Sequence, residues 1–504
     1  FWSPLTNELD PPWGGDLENR MRFSVAVLEA MRARVGPDFI IGIRMVADED
    51  TPGGLGPDEG FEIARRLKAR GLIDFVNVIR GRVHSDPSLT RVIPVQGMAS
   101  APHLEFAGRL RREIGLPTFH AARVADTATA RHAIQAGLLD MVGMTRAHIA
   151  EPHIVARIRA GEEDDIRPCV GATYCLDRIY QGQPALCIHN PATGRERELP
   201  HVIRPAAERR RVVVVGAGPG GLEAARVAAE RGHEVTVFEA APEPGGQLRL
   251  AARHPRRREM RGIIDWRLRR CERHGVAFRF NHYAEAGDVL ALEPDIVVVA
   301  TGGVPQMRLY EHRAPLEGAV SSWEVIGGEV ALEGEVIVYD EAGDAAALHA
   351  AEAAAEAGAR VEILTPERAI SPEVMGMNLV PWMRALQEHG VGITLGRRLE
   401  AIAREGNRLR AVFGSDYGPT RIERHCDLLV YNYGTEPADE LYHALRPHSV
   451  NLGAVDQGEL LAGRPQTLVR NPEGRFRLWR IGDAVAGRNV HAAILEALRL
   501  LHVA

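Results

Sequence analysis

A chain of 504 residues, 45% of them hydrophobic, can bury several cores and implies roughly two to four domains. Its formal net charge of -6 gives no long-range attraction for phosphate backbones, and no window approaches the ~18 apolar residues of a membrane span, so nucleic-acid and membrane roles are set aside. Five cysteines and no signal-peptide pattern point to a reducing compartment, read as cytoplasmic.

The first stretch, FWSPLTNELDPPWGGDLENRMRF, reads as a loop running into a helix. Asp16 is expected to cap that helix at Leu17, Phe23, Val27 and Met31 to form its apolar face, and Gly36-Pro37 to end it. Four strand-then-helix units follow, with apolar runs at 39–45, 74–79, 117–123 and 141–146. That is half of an eightfold barrel. Parallel strands need covered edges, so a longer natural protein is expected, with the other half upstream.

Next come Cys169, Cys175 and Cys187 in RPCVGATYCLDRIYQGQPALC. Thiolates are soft ligands that select iron–sulfur clusters or zinc, and closely spaced cysteines in a reducing compartment are poor disulfide candidates. An iron–sulfur cluster and a zinc ion held by three cysteines and one histidine both remain open. Cys271 and Cys426 lie far downstream and are expected to be buried bystanders.

After a linker at 204–211, the strand RVVVV leads into Gly216-x-Gly218-x-x-Gly221, a helix, and a strand HEVTVFE ending in Glu239. Glycines there permit a tight turn and close approach of a pyrophosphate to the helix N-terminus, and Glu239 can accept from ribose hydroxyls. With Gly246-Gln247 following, this reads as a site for FAD or ADP. A second such unit, EVIVYDEAGDAAALHAAEAAAEAGARVEILT, carries the turn Tyr339 to Asp344, where acidic side chains replace glycines. Carboxylates would repel a nucleotide's phosphates, so the turn argues against tight NAD(P)H binding. The basic run 253–261 is expected to be a solvated face, and the alanine-rich segment a helix packed on a sheet.

WGGDLENRMRF, the strand carrying Arg44, the Ala122-Arg123 and Thr145-Arg146 pairs and the cysteine run together resemble the Old Yellow Enzyme superfamily, in its trimethylamine dehydrogenase and 2,4-dienoyl-CoA reductase branch. The resemblance covers the whole chain. It implies an α/β protein: 1–165 as the C-terminal half of an FMN-binding (β/α)8 TIM barrel, 166–204 as an iron–sulfur segment, 205–315 with 455–504 as a Rossmann-like FAD/ADP domain, and 316–454 as a degenerate NAD(P)-type domain. By resemblance Arg44, at the C-terminal end of its strand, would lie against the flavin pyrimidine. Arg123 and Arg146, with the backbone at Ala122 and Thr145, would bind the FMN phosphate. Thr301-Gly302 in VVVATGG and Gly482-Asp483 in RIGDAVAG resemble further dinucleotide contacts. Relatives use four cysteines, three of them as C-x2-C-x2-C, whereas this chain has Ala172 at the second position. A three-iron cluster, a four-iron cluster with Asp177 or His189 as substitute ligand, and a vacant site are the outcomes left open.

The resemblance further implies oxidative N-demethylation of a small amine or amino acid, with electrons leaving to an electron-transfer flavoprotein, in a homo-oligomer. Ile179 stands where trimethylamine dehydrogenase has a bowl tryptophan, with Tyr180 adjacent, and the variant cysteine run is closer to N-methyl amino acid demethylases. Arg80, Arg82 or His84 could receive a substrate carboxylate. The family's catalytic tyrosine–histidine pair is expected upstream. An NAD(P)H-dependent enoate reductase and a non-catalytic flavin-binding electron carrier are the alternatives.

Overall fold

Residues 1–309 and 317–504 are described by a computed structural model, in which the chain divides into two units, Phe1–Gly171 and Ala172–Ala504. The domain boundary expected at 315 and 316 lies outside the described residues.

The first unit holds four parallel strands in the order β1 (Gly42–Asp48), β2 (Phe75–Arg80), β3 (Thr118–His120) and β4 (Met141–Val142). Helices Pro57–Ala69 and Leu104–Ile114 cross between them and bury Phe61, Leu67 and Leu110 in one core with Met45, Val76 and Val78. Successive strand residues point to opposite faces. The other face therefore carries Arg44, Asn77, Phe119 and Met141, which stand in one register row across the sheet.

Helix Leu17–Val35 begins as expected, with the Asp16 carboxylate accepting from the Asn19 N–H at 2.9 Å, and stops at Gly36. Its rotation differs from the expectation. Met21, Val25 and Leu28 are buried, whereas Phe23, Val27 and Met31 are 44%, 43% and 46% exposed. Two apolar stripes run along this helix, and buried Arg20, paired with Glu59 at 2.7 Å, turns the other stripe inward. β1 is also displaced from the apolar run that announced it. Phe39 and Ile40 are exposed and pairing with β2 begins at Gly42, so Arg44 is the third residue of seven and not the C-terminal end. β3 ends at His120, which leaves Ala122 and Arg123 in the following turn.

The second unit contains two five-stranded parallel sheets. In the first the order is Arg477–Arg480, Ile296–Val299, Arg211–Val215, Glu234–Phe238, Ala277–Arg279. In the second it is Ala319–Ser321, Leu428–Asn432, Glu335–Asp340, Arg360–Leu364, Gly392–Thr394. An antiparallel meander, Arg398–Glu405, Arg408–Ser415 and Gly418–Cys426, is attached to the latter. The alanine-rich segment forms helix Ala345–Glu356 and packs Ala347, Ala350, Ala351 and Ala354 into a core.

The basic run at 253–261 is only in part the solvated face expected: Arg253, Arg258 and Arg261 are exposed, but others of its residues are tied into the unit. Arg256 pairs with buried Glu352 and lies 4.5 Å over the Trp382 ring, His254 packs on that ring at 4.5 Å, and Arg253 donates to the Ile326 carbonyl at 3.2 Å. The long stems bury while the heads find carboxylate, carbonyl and aromatic partners supplied from distant sequence. Among the described residues no helix is long and apolar enough to cross a membrane.

Candidate functional site

The glycine turn after strand Arg211–Val215 is set by close approach. Gly216 has φ 99°, and a Cβ there would come within 2.3 Å of the Ala300 carbonyl oxygen. A Cβ on Gly221 would come within 1.9 Å of the Gly216 carbonyl oxygen, so the helix Pro219–Glu230 can lie against the turn only without side chains at these points. Before it opens a cavity of about 690 Å³.

The structure places Gly216, Gly218, Glu239, Gly246, Gln247, Thr301, Gly302, Gly482 and Asp483 around this one cavity, while Gly221 packs behind it. Both Glu239 carboxylate oxygens are held by backbone, accepting from the Ala217 N–H at 2.7 Å and the Ala241 N–H at 2.8 Å. Gln247 donates to Asp483 at 3.0 Å, the Arg488 N–H donates to its other oxygen at 3.2 Å, and burial pushes the Asp483 carboxyl above the usual range. Two helix N-termini face the cavity, one at Gly218 and one at Asn489, whose side chain accepts from Ala492. Their unpaired amides and positive dipole ends suit a pyrophosphate. The sequence reading missed Arg253, Tyr283, Trp323 and Asn489 in the lining. Of these only Asn489 had a signal, as a cap residue shortly after the RIGDAVAG run.

In the first unit, Ala122 and Arg123 have φ of 97° and 59° in succession at the end of β3. Such backbone is costly for residues with a Cβ and concentrates at ligand sites. The Arg123 carbonyl is anchored by Ser100 Oγ at 3.1 Å. Thr145 opens helix Thr145–Ala150, and Arg146 donates to the Pro94 carbonyl at 2.9 Å. Two arginines and a left-handed turn beyond the strand ends are chemically suited to a phosphate. Arg44 lies on the exposed sheet row. Arg80 and Arg82 do not offer the open cations expected for a substrate carboxylate. Arg80 pairs with Asp48 at 2.8 Å and Asp50 at 3.0 Å, and Arg82 lies 3.8 Å from Glu49. His84 instead meets Ser88 Oγ at 3.1 Å.

None of the five cysteines is in a disulfide. Cys175 is buried on helix Tyr174–Tyr180, and half-buried Cys187 accepts the His189 backbone N–H at 3.4 Å while its carbonyl accepts from His491 Nδ1 at 2.8 Å. An N–H aimed at sulfur suits a thiolate ligand. Cys169 is half-buried at the end of the first unit. Among the described residues no group of three His, Cys, Asp or Glu side chains is assembled to hold a metal ion. Of the substitute ligands considered, Asp177 accepts from Gln181 at 2.8 Å and the buried His189 ring packs edge-on against Trp266. Cys271 and Cys426 are buried, their thiols pushed up to about 12 and about 11.

Comparison with known proteins agrees with this division. Residues 1–165 match the NADH:flavin oxidoreductase / NADH oxidase family, and residues 188–320 match the pyridine nucleotide-disulphide oxidoreductase family. Over 99% of its length the chain is 59% identical to 74% of a Rhizobium meliloti (strain 1021) protein named "Probable N-methylproline demethylase". It is 42% identical, again over 99% of its length, to 74% of the N,N-dimethylglycine/sarcosine dehydrogenase of Chromohalobacter salexigens. Its fold matches histamine dehydrogenase from Rhizobium sp. 4-9 with a TM-score of 0.85 at 24% identity, covering 99% of this chain and 70% of that one.

Proposed function

The chain belongs to the NADH:flavin oxidoreductase / NADH oxidase family, and from that premise we propose that it is the flavin-dependent catalyst of oxidative N-demethylation of a small N-methylated amine or amino acid. The observation that carries this reading is the 59% identity, along nearly the whole chain, with a protein named as an N-methylproline demethylase.

The chemistry that FMN would supply when bound is acceptance of a hydride from the N-methyl carbon. The iminium left on the substrate adds water and releases formaldehyde and the demethylated amine. Arg123 and Arg146, with the turn at Ala122, would hold the FMN phosphate, and Thr145 directly precedes Arg146. Arg44 would place a guanidinium on the flavin-facing side of the sheet, where positive charge favours an electron-rich ring.

Cluster ligation by Cys169, Cys175 and Cys187 rests on their sequence spacing alone, since among the described residues no three such side chains are assembled for a metal, and no step above depends on them. The cavity of the second unit favours FAD over ADP. It runs past the glycine turn to Val304, Trp323 and Leu441, apolar surface that a flavin ring would cover and ADP would leave bare. Electrons would pass to an external acceptor of the electron-transfer flavoprotein type, in the cytoplasm.

Anaerobic visible absorbance of the flavin-loaded protein, titrated separately with N-methylproline, N,N-dimethylglycine, NADH and NADPH, tests the direction of flow. Bleaching by an N-methylated substrate and not by nicotinamides is expected. Bleaching by nicotinamides alone would replace this reading with enoate reduction.

A further inference from the structure

Four strands of each five-stranded sheet of the second unit run in the same order, with the last of the four beside the first, so each sheet has a ligand crevice at that junction, at the carboxyl ends of its central strands. In the first sheet the crevice lies between Arg211–Val215 and Ile296–Val299 and is open, with Gly216, Gly218 and Thr301 at its wall. The equivalent crevice of the second sheet lies between Glu335–Asp340 and Leu428–Asn432. There the chain's own side chains take the donors that a nucleotide would use.

Asp340 and Asn432 are register partners at the two strand ends, 1% and 5% exposed. Asn432 Nδ2 donates to Asp340 Oδ1 at 2.9 Å and to Asp344 Oδ1 at 3.0 Å. The Gly343 N–H donates to Asp340 Oδ1 at 2.9 Å, and the Ala346 N–H, in the first turn of helix Ala345–Glu356, donates to Asp344 Oδ1 at 2.9 Å. Ser322 Oγ closes the other side of Asn432 at 2.8 Å. Turn and helix-start amides such as those of Gly343 and Ala346 are what a Rossmann unit offers to a pyrophosphate.

We propose that Asp340, Asp344 and Asn432 are specificity-determining residues that exclude pyridine nucleotides from the second nucleotide-binding fold, by presenting side-chain carboxyl oxygens from within the chain to the amides that would otherwise hold a pyrophosphate. An incoming nucleotide would have to break these hydrogen bonds and set its phosphates beside two acids. Arg257 interacts electrostatically with Asp344 and offsets part of that charge. The inference concerns binding and stands whichever substrate the flavin oxidises.

The test uses the full-length protein with saturating ADP to fill the first crevice, and hydrogen-exchange mass spectrometry of the segment 336–350 with and without NADH or NADPH. In the wild type no protection is expected at about 1 mM nucleotide, and in Asp340→Gly/Asp344→Gly nucleotide affinity at this segment should rise at least roughly tenfold. Asp344→Gly alone, which keeps buried Asp340 and places a tolerated residue at the helix cap, gives the same readout if the double variant does not fold. Protection of 336–350 in the wild type, or a folded variant that gains none, overturns the proposal.

Discussion

Burial holds four histidines without charge. His120, His254 and His491 are pushed down to about 4 and His349 to about 3, each chiefly by desolvation. In the unfolded chain each would titrate near 6.5, so between those values the unfolded state binds more protons than the folded one. Their contribution to stability is complete above pH 6.5 and is lost as pH falls towards 4, at about 1.4 kcal/mol per pH unit for each histidine. Asp340 acts in the opposite sense. Its carboxyl is pushed up to about 7 by burial, so from about pH 4 to 7 the folded state keeps a proton that the unfolded chain has released, and stability falls as pH rises through that window. Four histidines outweigh one aspartate below pH 6.5. Urea unfolding at fixed pH should therefore show a midpoint that drops steeply from pH 6.5 to 4.5, and His349→Gln should flatten that dependence by about one proton; an unchanged slope would show that His349 titrates alike in both states.

At the scale of elements, helix Arg261–Arg273 is tied down by a charge that has no access to water. Arg267 is fully buried, donates to Glu223 of helix Pro219–Glu230 at 2.8 Å, and reaches the His189 carbonyl at 2.9 Å. Removing one member of such a set strands the other. Arg267→Met is expected to cost about 3 kcal/mol, the lower end of the range for broken buried pairs because Arg226 still meets Glu223 at 2.6 Å, and urea unfolding measures it. The glycine turn at Gly216 was legible in the sequence, because close backbone approach permits few residues and their spacing is local. The rotation of helix Leu17–Val35 was not, because two apolar stripes satisfy the same periodicity and the choice rests on Arg20 meeting Glu59. Arg256 was misread for a related reason. Its composition is that of a surface, and its carboxylate and aromatic partners, Glu352 and Trp382, lie about a hundred residues away.

Over the whole molecule, the arginines and the strained turn suited to FMN lie in Phe1–Gly171, and both Rossmann-type sheets lie in Ala172–Ala504. The alternation of strands and helices announced all three, and the acids at 340 to 344 distinguished the second Rossmann turn from the first. What the sequence did not show was that these acids are bonded to the turn's own amides, since Asn432, which joins them, comes from a strand some ninety residues later. One open crevice and one closed from within have a consequence that can be counted. An acid extract of the flavin-loaded protein should yield one adenine per polypeptide and not two. Two isoalloxazine rings for each adenine would identify the occupant of the open crevice as FAD, and a single ring would identify it as ADP.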